Sequence, residues 1–92
     1  MASDREIRCR VVRRLVRDNV TGSHKVTVDT AKRAVATSDR GRAEAVIREL
    51  VRDPSGPLEA YGGSRDNVRL ASIQAGVRFL KENGCELPWG YE

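Results

Sequence analysis

DTAKRAVATSDRGRAEAVIRELVR, residues 29–52, holds two helical patterns separated by a turn. Asp29 is a natural N-cap, and the spacing predicts a short helix over 30–36 with Ala31, Ala34 and Val35 on its inner face. Thr37-Ser38-Asp39-Arg40-Gly41 reads as a turn, with Ser38 or Asp39 capping the next helix, 40–52. Ala43, Val46, Ile47, Leu50 and Val51 form its apolar stripe. Arg48 and Arg52 fall near the centre of the opposite face, with Ala45 between them. Asp53-Pro54 ends the helix, because the residue before a proline is pushed out of the α region.

Upstream, Ser3-Asp4-Arg5-Glu6 has the form of a capping box opening a helix that runs to about Asp18. Ile7, Val11, Val12, Leu15 and Val16 make its buried stripe, and Arg10, Arg13, Arg14 and Arg17 lie opposite, as a solvated face. His24–Val28 alternates, with Val26 and Val28 inward, as in a short strand. Downstream, Pro57–Tyr61 and Asn67–Leu70 flank Gly62-Gly63 and predict a β-hairpin, with Leu58, Ala60, Val68 and Leu70 toward the core. Ser72 caps a last helix to about Asn83, with Ile73, Val77 and Leu80 inward and Gly84 as its C′ residue. Residues 1–84 form the expected domain, and 85–92, with Pro88 and Gly90, an irregular tail.

The chain has 92 residues, enough for one modest core. With four aromatics, that core must come from Val, Leu, Ile and Ala. Seventeen basic residues against thirteen acidic ones give a net charge of +4, a sign that favours polyanionic partners. No apolar run approaches the ~18 residues that span a bilayer, and the first ten residues show no signal-peptide core. The expectation is a cytoplasmic protein in which Cys9 and Cys85 are reduced thiols, with a disulfide between them as the alternative that the sequence does not support. With His24 as the single histidine, a zinc site carries little weight, and no cofactor is implied.

The order helix, strand, helix, turn, helix, hairpin, helix resembles a winged helix-turn-helix domain over nearly the whole chain. Residues 29–52 resemble its two-helix unit, and PLEAYGGSRDNVRL its wing. More narrowly, TGSHK, SDRGRA, EAYGGSRDNVRL and the final helix before ELPWGY resemble small uncharacterised winged-helix proteins of halophilic archaea. The positive charge departs from that group, whose members are usually acidic. The resemblance implies an α+β fold and a double-stranded DNA partner, hence a nucleoid-associated transcriptional regulator.

In such a fold the second helix of the unit enters the major groove by its N-terminal end. Arg40 and Arg42 are then the candidate base readers, since the guanidinium fork matches guanine O6 and N7. Arg48 is the candidate one turn or more further on. Thr37 and Ser38, and the backbone N–H groups opening the helix, are candidates for phosphate. Lys32 and Arg33 are placed for phosphates on the preceding helix. In the wing, Arg65, Asn67 and Arg69 point away from the core, toward a minor groove or the flanking backbone. Glu44 and Glu49 act against this reading, and Glu44 can pair with Arg48.

No HExxH, GxSxG, P-loop or CxxC pattern is present, so a binding protein is expected rather than an enzyme. The competing reading is a winged helix that docks on protein. RNA is disfavoured by the lack of aromatics for base stacking. The half-site habit of such proteins, with the first and last helices free to pair, allows a homodimer as one hypothesis. Trp89 is expected to tuck against the domain, with an interface contact as the alternative.

Overall fold

The computed structural model describes residues 2–61 and 64–91, and the side chains of all of these except Ser64 and Arg65. The expected Gly62-Gly63 turn therefore lies outside the described residues. The fold is α+β: four α-helices and one three-stranded antiparallel sheet. The elements are α1 (Asp4–Arg17), β1 (Val26–Thr27), α2 (Val28–Ala31), α3 (Arg40–Arg52), β2 (Leu58–Tyr61), β3 (Ser64–Leu70) and α4 (Ile73–Glu82). Two 3₁₀ turns, Lys32–Ala34 and Thr37–Asp39, lie between α2 and α3. Among the described residues, no helix is long and apolar enough to cross a membrane.

α1 forms where apolar residues recur at helical spacing, and it buries Ile7, Val11, Val12, Leu15 and Val16. Half of its expected capping box is present. The Ser3 hydroxyl accepts from the Glu6 N–H at 3.2 Å, but the Glu6 carboxylate turns forward to Arg10. α3 buries Ala43, Val46, Ile47 and Leu50 against α1, and Val51 is half-buried. α4 starts at Ser72, whose hydroxyl accepts from the Ala75 N–H, and ends with Gly84 at φ +65. That left-handed position is one glycine adopts readily.

The middle of the chain departs from expectation. α2 begins at Val28, not Thr30, because the Thr27 hydroxyl accepts from the Thr30 N–H at 3.0 Å and takes the capping role expected of Asp29. It ends at Ala31, and the backbone tightens into a 3₁₀ turn, so the expected helix 30–36 is not continuous. Neither Ser38 nor Asp39 caps α3 through its side chain. Asp39 is instead buried, its Oδ2 accepting from the Ala2 backbone N–H at 3.4 Å.

The sheet has the order β1-β3-β2, with Val26 opposite Val68 and Leu58 opposite Leu70. Leu58, Val68 and Leu70 are buried. Ala60 is exposed, against expectation: it keeps its register opposite Val68, on the face of Leu58, but there it lines an open groove with Val28 and Val51 and is not covered. At α4, Gly76 is the point of closest approach. A Cβ there would meet Val16 Cγ2 at 2.7 Å and Leu70 Cδ2 at 3.2 Å, so glycine lets α4 pack onto α1 and β3.

The tail is irregular but attached. Cys85 and Leu87 pack on the core and Pro88 is buried. Cys9 and Cys85 form a disulfide between α1 and the tail, with Cα atoms 5.4 Å apart. This overturns the expectation of two reduced thiols, since packing α4 along α1 brings residues 76 positions apart into bonding range. Trp89 does not tuck in: it is 92 % exposed.

Candidate nucleic-acid interface

α2, the turns after it, α3 and β3 bring three of the predicted basic residues, Lys32, Arg33 and Arg48, into one seam. Asp29 sits at the start of α2 and receives Lys32 Nζ at 3.1 Å and Arg33 at 3.9 Å. Lys32 reaches on to Glu44 of α3 at 3.9 Å. Glu44 pairs with Arg48 one turn later at 4.0 Å, as its i, i+4 spacing suggests. Arg48 in turn reaches Asp66 of β3 at 3.3 Å. The seam thus runs from α2 across α3 to the hairpin with cation and carboxylate alternating. The Lys32 hydrogen bond holds the Asp29 carboxyl below its ordinary value, helped by the charges of Lys32, Arg33 and Arg40.

Arg40 opens α3 half-buried beside this cluster, with its Nε enclosed and without a hydrogen-bond partner. Its backbone N–H donates to the Thr37 carbonyl, so that group is not turned outward to an anion. Thr37 and Ser38 are exposed on the 3₁₀ turn just before it.

Arg42 lies elsewhere. Its guanidinium grips Asp4 of α1 by both carboxylate oxygens, with Nε donating to Oδ1 at 2.7 Å. This bidentate pair raises Arg42 and lowers Asp4. Of the two expected base readers, one is therefore fastened to α1.

The wing residues also divide. Asp66, Val68 and Leu70 turn toward the helices, and Arg69 to the opposite face of the sheet. Arg69 Nε donates to Glu59 at 2.7 Å, and its Nη1 donates to the Gly22 carbonyl at 2.6 Å. The Arg69 guanidinium and the Lys25 ammonium each lie over the Tyr61 ring, 4.8 and 4.9 Å from its centroid. Asn67 pairs with Thr27 across β1 and β3. The Arg65 side chain lies outside the described residues.

Two parts of this surface add to the sequence reading. The outward row of α3 is Gly41, Ala45, Glu49 and Arg52, all exposed. A Cβ on Gly41 would meet nothing within 4 Å, so the helix presents low relief there. The 3.6-residue period already places Ala45 and Arg52 on this face, and Gly41 continues the row one turn toward the N-terminus. The second part is a groove of about 460 Å³ lined by Val28, Arg48, Val51, Arg52 and Ala60. It opens where Ala60 is left uncovered near the end of β2, which no local pattern signals.

Comparison of the chain with family models, curated proteins and solved structures found no match.

Proposed function

We propose that this chain is a winged helix-turn-helix protein that binds double-stranded DNA, with α3 in the major groove and the β2–β3 hairpin on the minor groove or backbone. The role that fits is binding rather than catalysis, in regulating transcription. The observation that carries the reading is the outward row of α3. Gly41 and Ala45 leave its N-terminal half free of bulk, Arg52 stands exposed at its end, and Arg48 flanks it. A helix so shaped can lie close to base edges while guanidiniums reach phosphate or guanine. Glu49 on the same row can accept from cytosine N4. Lys32, Arg33, Thr37 and Ser38 lie at the end of α3 that would enter first. Arg42 and Arg69 are left out of the contact set, because Arg42 is gripped by both Asp4 oxygens and Arg69 lies on the sheet face turned away from α3.

One observation favours the second reading, a docking module for protein. The charged seam is close to self-neutralised, and the Val28–Val51–Ala60 groove beside it is apolar. The two readings separate in a fluorescence anisotropy titration with a mixed-sequence duplex. DNA binding predicts that Arg48→Ala and Arg52→Ala each weaken affinity about three- to tenfold and reduce the salt slope by about one. Equal affinity for both variants and the parent protein would remove α3 from the interface and favour docking.

A further inference from the structure

The four-arginine stripe of α1 does not face open solvent as a convex surface. It forms one wall of a cleft of about 500 Å³, closed by the tail at Gly84, Cys85 and Glu86. Arg5, Arg10, Arg13, Arg14 and Arg17 all line it, and the Cys9–Cys85 disulfide ties its two walls together. Arg10 to Arg17 spans two turns, about 10 Å along the helix.

The arginines outnumber the carboxylates that meet them. Arg10 pairs with Glu6 at 2.9 Å, and Arg14 and Arg17 share Asp18. Arg13 reaches Glu86 at 3.4 Å, but that carboxylate is 82 % exposed, and the Arg13 Nε is enclosed with no hydrogen-bond partner. Arg5 is engaged differently: it donates to the Asn83 and Gly84 carbonyls, so it neutralises the end of α4 and secures the cleft rim. The pairs within the cleft are exposed ion pairs, which contribute little and are easily exchanged. A phosphate offers several acceptor oxygens at once and matches the guanidinium fork, so it competes well with single carboxylates.

We propose that this cleft is a binding site for phosphate groups, separate from the α3 surface and independent of the DNA reading of that surface. The phosphates come either from a small oligophosphate or from a nucleic-acid backbone laid along α1. Both sources use the same chemistry: Arg10, Arg13, Arg14 and Arg17 donating to phosphate oxygens, with Glu86 displaced outward.

The test is isothermal titration of the oxidised protein with inorganic tripolyphosphate at low salt, and in parallel a duplex titration read by anisotropy. The variants are Arg13→Ala and the double substitution Arg10→Ala/Arg14→Ala, with Arg78→Ala on α4, outside the cleft, as control. Arg10 and Arg14 are exposed, so the double variant leaves the core intact. Saturable tripolyphosphate binding that weakens at least about tenfold in the cleft variants, and stays within about twofold in the control, supports a small-anion site. Duplex binding that falls in the cleft variants alone, without tripolyphosphate binding, supports the backbone source. If neither ligand responds to the cleft variants, or the control loses as much as they do, the proposal is wrong.

Discussion

Gly76 shows how much one atom decides at the α1–α4 contact. A methyl group there would press on Val16 Cγ2, a short branched side chain with little room to swing away. Gly76→Ala is expected to destabilise the protein by about 1–3 kcal/mol, although alanine favours helix intrinsically. Urea unfolding of the two proteins checks it, and an unchanged midpoint would count against the packing described. Asp4 makes a second prediction at this scale. Its bond to Arg42 holds it below the ordinary 3.8. The stability it contributes is therefore fully present above that value and lost as pH falls through the lowered one. Asp4→Asn should lower the melting temperature near pH 6 and do so less at pH 2–3. An equal loss at both would mean that the pair has no charge component.

At the scale of elements, α1, α3 and α4 were legible because long apolar stripes at a 3.6-residue period leave little ambiguity. In α1 and α3 the buried residues agree closely with the stripes, Ile7 to Val16 and Ala43 to Leu50, whereas of the α4 stripe Leu80 is buried and Ile73 and Val77 are half-buried. α2 was not legible in detail. Four residues of helix carry no periodicity, and two adjacent candidates, Thr27 and Asp29, compete for one capping role. The candidate site was legible as a list of arginines but not as a surface. Whether a guanidinium faces solvent or a neighbouring carboxylate depends on contacts such as Arg42–Asp4, 38 positions apart. Arg69 is the element-scale case. It fastens the sheet to the Gly22 turn and stacks on Tyr61, so Arg69→Ala should cost about 1–2 kcal/mol of stability. Its effect on duplex affinity should stay within about twofold at a temperature where the variant is folded. A large affinity loss without a stability loss would restore Arg69 to the interface.

Across the whole molecule, the disulfide joins the first helix to the tail and closes nearly the entire chain into a loop. In the chain-entropy view, a link across 76 positions stabilises by about 4.5 kcal/mol, chiefly by restricting the unfolded chain. Reduction by a dithiol should therefore lower the melting temperature substantially. Cys9→Ser should melt alike with and without reductant, and a parent protein insensitive to reductant would contradict the link. The bond was illegible in the sequence because each cysteine sits in an unremarkable local setting, and only helix packing brings them together. The α3 row, the charged seam and the hairpin likewise form one surface only in the assembled fold. The proposed function has this surface engage double-stranded DNA. It is tested most directly by titrating the folded parent protein against a fluorescent mixed-sequence duplex at several salt concentrations. Saturable binding is expected at low salt, with an affinity that falls with a log–log slope of about −3 or steeper. Absence of binding at low salt, or an affinity indifferent to salt, would contradict it.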